Sequence, residues 1–453
     1  MDARASEKLP DDWDQRPTAA LLKLAWPITV SMLSISVMTL MDTVFVGRLG
    51  PSSLAGVGLG GTAVFLTLCF PLGVLTGAKV LVAQAVGAGR RSEVHTLLAA
   101  ALFWAMTIGA AIVLLGVVGT RWLPLLTSTP EAGAAAFRYT TIRLWVTPVM
   151  LMGVAIREVR YGLGDARAPM VAAIVANALN IGLDYVLIFP AGLGVAGAAY
   201  ATVIAQSAEA LILFGVQARD GLRKRWPSRR RIAEVWRMGL PGGLQWLLEM
   251  GAFATLAVMI SMLSEVEMAA HQITLQVIHF SFLPAVAIAE AGSVLCGQAV
   301  GAGRRELVRI IARRAFAVAG SYMAMFSVLL LLGGGWIARA FTDDPLVEAA
   351  VLRLFMIAAI FQVFDAANMA ARGALRGTGD VRFPALIGAL LSWGLTPPLM
   401  WLLGYRLGLG AAGGWIGLCF EIVLGAGIFW WRLEKDGWTK ASDTVRELAI
   451  GRA

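Results

Sequence analysis

Charge is scarce in this chain. Asp, Glu, Lys and Arg make up only 15% of its 453 residues, where a soluble domain carries roughly 25%. With 58% hydrophobic residues and a mean hydropathy of +0.73, that shortage excludes an ordinary water-soluble domain. Cysteine is scarcer still. Cys69, Cys296 and Cys419 lie in apolar stretches without a metal-ligand spacing, so neither a disulfide framework nor a zinc site is indicated. No Ser/His/Asp set, HExxH or CxxC occurs, and no Lys-Ser/Thr follows the glycine-rich turns. Catalytic and phosphate-loop signatures are therefore missing, and neither an enzyme nor a bound cofactor is expected. The first 23 residues are polar, without the apolar core and cleavage pattern of a signal peptide, so the first apolar run is expected to stay as a helix.

What is present is apolar length. Runs of 18 or more apolar residues read as membrane spans, and about a dozen occur. Helices are predicted at 24–47, 54–82, 94–119, 133–158, 169–190, 195–217, 236–262, 268–297, 309–333, 348–371, 384–404 and 409–430. Each can cross about 30 Å of hydrocarbon at about 1.5 Å per residue.

The chain also repeats itself, the first property to establish because it decides the architecture. Gln84-Ala85-Val86-Gly87-Ala88-Gly89-Arg90 returns as Gln298-Ala299-Val300-Gly301-Ala302-Gly303-Arg304, 214 residues on from Gly87 to Gly301. Pro27 and Pro241 share that offset, and Gly164-Asp165 and Pro169 return as Gly379-Asp380 and Pro384. A duplicated unit of six helices follows: an N-lobe over 1–217, a basic linker over 218–235 and a C-lobe over 236–453. The Gly-Ala-Gly turns are read as mechanical, permitting close approach between two helices, with arginines beside them for anionic headgroups.

Thirty of the 38 Lys and Arg residues fall in the tails and in alternate loops, and seven on the other side. By the positive-inside rule both termini are cytoplasmic. The net charge of +9 is then topology and lipid attraction, and no nucleic-acid partner is implied. Six helices per lobe give both lobes one orientation, the parallel arrangement that places a substrate site between repeats.

Ionisable groups inside hydrocarbon cost about 2.5 to 3.5 kcal/mol on the insertion scale and therefore need a reason. Asp42 and Asp184 are expected in the outer half of the membrane. Asn180 and Asn177 precede Asp184 at helical spacing, so one stripe carries two amides and a carboxylate. Two carboxylates with nearby amide oxygens can hold Na⁺, here at Asp42, Asn180 and Asp184, or can share a proton, since like charges side by side resist joint ionisation. Thr202 could add a hydroxyl. The alternative is interfacial placement, for Asp42 beside Arg48 and for Asp184 close to the helix end at Pro190. In the second half Glu249 lies mid-helix, and Asp365 is flanked by Gln362 and Asn368 on one face. That trio suggests a substrate-facing or water-filled surface, with Asn177 and Glu290 as further cleft candidates; the alternative for the trio is an interhelical hydrogen-bond network. Glu290 by length reads better as interfacial, and His271 and His279 as structural. Leu256 and Leu399 stand where the offset would place copies of Asp42 and Asp184, so the acids are not duplicated.

These residues resemble the MATE (multidrug and toxic compound extrusion) family. The resemblance rests on Leu24-Ala25-Trp26-Pro27, Met41-Asp42-Thr43, the two Gln-Ala-Val-Gly-Ala-Gly-Arg turns and Leu375-Arg376-Gly377-Thr378-Gly379-Asp380, and spans nearly the whole chain. It implies an all-α integral membrane fold, twelve helices in two pseudo-symmetric six-helix lobes around a V-shaped central cleft. It implies export of organic cations and amphiphiles against H⁺ or Na⁺ by alternating access. It is similar to DinF-type members at Asp42, Asn180, Asp184 and Thr202, and to NorM-type members at Glu249 and Asp365. Pro27 matches a proline linked with helix bending. Phe361 departs from the pattern, lacking the hydroxyl expected four residues before the second-lobe acid. A monomer in the inner membrane of a bacterium is implied, with the lipid bilayer and small cationic molecules as partners. The rival readings are a lipid or lipid-linked glycan flippase, which would want a cationic cleft, and a channel or sensor.

Overall fold

In lipid every backbone N–H and C=O must find its partner inside the protein, and a helix does this within one segment. The structure, a computed structural model, describes residues 17–127, 129–220 and 226–443, and among them every regular element is helical. In chain order these are α1 (Pro17–Gly47), α2 (Pro51–Gly87), α3 (Val94–Gly119), α4 (Pro130–Trp145), α5 (Thr147–Gly162), α6 (Arg167–Ile188), α7 (Val195–Arg219), α8 (Arg229–Ser261), α9 (Glu265–Gly301), α10 (Glu306–Arg339), α11 (Pro345–Thr378), α12 (Arg382–Leu399) and α13 (Ala411–Glu434). Among the described residues eleven segments are long and apolar enough to cross a membrane, and α4 with α5, bent by 53°, makes a twelfth if counted as one span.

That bend is one departure from the predicted helices, which run 133–158 as a single rod. Val146 leaves the helix and Pro148 opens the next one; proline supplies no N–H and suits a first turn. A second departure is at Pro397-Pro398, where two missing donors precede a π-helical stretch at Met400–Arg406. A third is length. α1 starts at Pro17, α8 at Arg229, and α11 continues to Thr378 rather than ending at 371. The last of these moves Arg372 and Arg376 from a loop into a helix. Part of the basic linker, 221–225, lies outside the described residues.

Within the described residues the chain packs as two compact units. One takes 30–82 and 90–243; the other takes 17–29, 83–89 and 244–443. The division of α1 falls at Thr29–Val30, two residues beyond Pro27. We refer to them as the first and second unit. The first has a core of Phe45, Val46, Tyr139, Ile188 and Ala199. The second is centred on Trp415, Phe355, Leu256, Leu354 and Met400.

Lipid is as apolar as leucine, so helices associate through close packing of small residues. In the second unit the two copies of the repeated turn pack on each other reciprocally. A Cβ on Gly87 would collide with the Gln298 carbonyl, and one on Gly301 with the Gln84 carbonyl. Gln84 in turn donates to the Gly377 carbonyl at 3.2 Å. Gly89 and Gly303 close the two turns at φ +72° and +80°, a conformation that costs glycine little. In the first unit Gly73 and Gly77 of α2 meet Gly239, Gly242 and Gly243 of α8 in the same way.

The first unit also buries an ion pair, Lys79 Nζ to Glu158 Oε2 at 3.1 Å, with side chains 5% and 9% exposed. Removing Lys79 leaves Glu158 with the longer contact to Arg157 Nε, 4.0 Å away, and breaking a buried pair costs up to about 3–5 kcal/mol. Lys79→Met is expected to lower the thermal midpoint in detergent strongly, and Lys79→Met/Glu158→Gln to recover most of the loss. A double variant as unstable as the single one would contradict this.

Candidate functional site

In the first unit the apolar helices α1, α6 and α7 bring four polar side chains together. Asp184 and Asn180 of α6 are fully buried, and Thr202 of α7 nearly so; Asp42 of α1 is half-buried. The i, i+4 spacing of Asn180 and Asp184 puts both on the face turned to α1. The Asn180 amide suits its surroundings in one orientation. Its nitrogen then donates to Asp42 Oδ1 at 2.9 Å and to Asp184 Oδ2 at 3.1 Å, while its oxygen accepts from the Thr202 backbone N–H at 3.3 Å. The Asp42 and Asp184 carboxyls act on each other electrostatically. Asp184 Oδ1 is buried without a hydrogen-bond partner. The Thr202 hydroxyl bonds its own helix at the Ala198 carbonyl, 3.0 Å away. Asn177 donates to Ser34 Oγ at 2.7 Å, one turn before the carboxyl cluster.

Arg143 is a cation that sequence reasoning assigned only to the outer-loop tally. It sits in the last turn of α4, donates to the Tyr139 hydroxyl at 2.8 Å and acts electrostatically on both Asp42 and Asp184. No spacing in the sequence links position 143 to 42 or 184.

In the second unit Glu249 of α8 does not stand alone. Arg372 of α11 reaches it with Nη1 3.1 Å from each carboxylate oxygen. Gln245, one turn earlier, donates to Glu249 Oε1 at 2.8 Å and accepts from Arg376 at 3.2 Å. Asp365 is 5% exposed, and its Oδ2 has no hydrogen-bond partner. Its charged neighbours are Arg372, Glu421 and Glu249. Glu421 of α13 accepts from the Thr396 hydroxyl. The amides flanking Asp365 link helices: Gln362 accepts from Ser281 of α9, and Asn368 donates to the Ile422 carbonyl at 3.2 Å. Phe361 packs edge-on against Trp415. Glu290 lies within electrostatic range of Arg376.

Sequence reasoning missed Arg372, Arg376, Gln245 and Glu421 as members of this cluster. The arginines were hidden by ending the helix at 371. Glu421 carried a readable signal, a carboxylate inside the predicted span 409–430. His271 is buried and accepts from the Trp415 indole at 3.1 Å. Pro27 lies inside α1, where it cannot donate to the Lys23 carbonyl.

Comparison with known proteins places this architecture. The family model described as MatE matches residues 27–186 and again 241–402. The probable multidrug resistance protein NorM of Pseudomonas syringae pv. tomato is 32% identical over 456 aligned positions, covering 96% of this chain and 97% of that protein. A MATE protein crystallised in a bent conformation superposes with a TM-score of 0.87 at 22% identity, over 94% of this chain and 97% of the other. A MOP superfamily transporter from Pyrococcus furiosus, described as having a binding pocket of reversed polarity, superposes at 0.85 with 21% identity, over 95% and 96%. A twice-matching family model and a relative aligned over nearly the whole length leave one conclusion: this multi-pass membrane protein belongs to the MATE family of transporters.

Proposed function

We propose that this chain is a secondary active multidrug exporter that moves organic cations and amphiphiles outward in exchange for H⁺ or Na⁺. The buried carboxyl pair Asp42 and Asp184, bridged by Asn180, carries this reading. Two carboxyls in an apolar helical unit are costly unless they take up and release a cation during the cycle. The Asn180 amide stands between the two carboxyls, where its nitrogen would serve a shared proton and its oxygen a bound Na⁺. Asp184 Oδ1, buried and unpartnered, is an atom on which such a proton would sit.

In the proposed cycle, cargo enters from the cytoplasm or inner leaflet, with an N-lobe (1–217) and a C-lobe (236–453), both termini cytoplasmic and the molecule a monomer in a bacterial inner membrane. The lobes rock, the inward ion neutralises the first-unit carboxyls, α1 changes near Pro27, and cargo leaves. Glu249 and Asp365 act in the second lobe, where Gln362 and Asn368 tie helices together beside Asp365, as Asn177 does in the first. The relatives' description as multidrug resistance proteins supports the cargo class. The rival, a flippase for lipid phosphates, would use free cationic groups. Arg372 and Arg376 are instead engaged by Glu249 and Gln245, which favours cation export.

The test is efflux of a fluorescent organic cation from proteoliposomes under an imposed pH or Na⁺ gradient, for wild type, Asp42→Asn, Asp184→Asn, Glu249→Gln and Asp365→Asn. A gradient-dependent wild type with reduced rates in the first-unit variants is expected. Unchanged gradient-driven efflux in all four variants would sink the assignment.

A further inference from the structure

Phe420, Leu424, Gly427, Trp431 and Lys435 follow one another along α13 at helical spacing and share one stripe. The first four line a groove of about 600 Å³, bordered on its other side by Leu395 and Leu399 of α12. Every residue lining it is apolar. Gly427 gives it depth, since a β-carbon there would meet nothing within 4 Å. Phe420 and Trp431 are eleven positions apart, about 16 Å of helix, close to half of a hydrocarbon core about 30 Å thick. Phe420 lies about 13 Å from the start of α13 at Ala411, so the groove begins near mid-membrane. It ends at Trp431, three residues before the helix ends at Glu434, and tryptophan is enriched where hydrocarbon meets water. Its length is that of one acyl chain in one leaflet. The charges at this end do not cancel. Asp380, Glu434 and Asp436 are paired with Arg432, Arg313 and Arg309. Lys435, one turn beyond Trp431, is exposed and enters none of these pairs, so one positive charge is left over.

We propose that the groove between α12 and α13 holds one acyl chain of a phospholipid with an anionic headgroup, whose phosphate meets Lys435 just beyond Trp431. In the orientation proposed above this lipid belongs to the cytoplasmic leaflet, and the inference rests on that reading for the choice of leaflet alone. A void facing lipid forfeits dispersion contacts until a chain fills it. The groove does not choose among lipids, because their chains are alike and the surrounding bilayer is equally apolar. It fixes where one chain lies and so brings the headgroup to Lys435. The charge then makes the choice. One lysine near the membrane surface favours an anionic headgroup over a zwitterionic one by about fivefold. The same charge disfavours an organic cation there, which separates this groove from a cargo site.

Native mass spectrometry of the purified full-length protein in detergent, titrated with phosphatidylglycerol or phosphatidylcholine of identical chains, gives the dissociation constant of the first lipid bound. Wild type is expected to bind phosphatidylglycerol about fivefold more tightly. Lys435→Gln is expected to bind the two lipids alike. Gly427→Trp, which fills the groove, is expected to weaken the first binding of both lipids by about fivefold or more. Leu332→Trp, at a position 85% exposed on α10, is expected to match wild type. Constants for the two lipids within about twofold of each other in wild type overturn the inference, as does an unchanged first constant in Gly427→Trp. Should Gly427→Trp not fold, Lys435→Gln decides alone, and a phosphatidylglycerol preference kept there overturns the inference. Loss of ethidium binding in Gly427→Trp with phosphatidylglycerol binding unchanged assigns the groove to cargo and likewise overturns it. None of these outcomes touches the export reading, which gradient-driven efflux tests separately.

Discussion

Asp184→Asn is expected to lower gradient-driven efflux by about 5- to 150-fold, the loss that follows when a coupling free energy of about 1–3 kcal/mol is removed. The amide nearly matches the carboxyl in shape but cannot exchange a proton at the pH of a cell. Asp184 is fully buried, and its neighbours Asn180 and Asp42 stay in place, so packing around it is preserved. The amide stays neutral in the buried site at any pH, so the variant never bears the desolvation cost of a carboxylate left there without its proton. The thermal midpoint of the variant is therefore expected to be unchanged or higher. Loss of transport together with loss of folded protein would show Asp184 to be structural. Intact protein with a wild-type rate would remove it from the coupling site.

Gly301→Val is expected to prevent the second unit from assembling. A β-carbon at Gly301 collides with the Gln84 backbone carbonyl, and the mirror contact joins Gly87 to Gln298. Backbone cannot rotate aside as a side chain can. Moreover, Gln84 is held by its bond to Gly377, on a helix where a β-carbon at Gly377 would in turn meet the Ser293 carbonyl. Overpacking typically costs about 1–3 kcal/mol per site and more where the neighbour is fixed; valine adds a branched side chain to that collision. Yield of monodisperse protein in detergent should fall steeply for Gly301→Val and for Gly87→Val. Gly427→Val, where a β-carbon meets nothing within 4 Å, should behave as wild type. Normal yield and thermal midpoint for Gly301→Val would refute the close approach.

Much of this was legible before any coordinates. Asp42, Asn180 and Asp184 stood out because polar residues inside apolar runs need a reason, and helical spacing put the two α6 residues on one face. The repeat carrying Gly87 and Gly301 marked a helix contact, although nothing in the sequence indicated that the two copies would touch each other. The partners of the acids were the hidden part. Arg372 and Arg376 lie at the end of an apolar run, where counting loop charges assigns them to the membrane surface. Only the continuation of α11 to Thr378 turns them inward to Glu249 and Gln245. Arg143 was hidden differently, since the predicted helix 133–158 runs straight through the break after Trp145 that places it in a last turn. Ion pairs across helices depend on which faces meet, and an apolar chain with uniformly hydrophobic helices says little about that. The polar residues singled out within the predicted spans were acids and amides, whereas in the second unit Arg372 and Arg376 stand against Glu249 and Gln245.

The account turns on exchange of a cation at the Asp42–Asp184 pair, and one calorimetric measurement tests the case in which that cation is the proton. The heat of binding of a monovalent cationic dye to the purified protein, compared between buffers of different ionisation enthalpy at constant pH and without Na⁺, reports the protons released. Wild type is expected to release protons as the dye binds, and Asp184→Asn to bind the dye with a heat independent of the buffer. Wild-type binding with no proton release, or equal release from Asp184→Asn, would contradict the assignment.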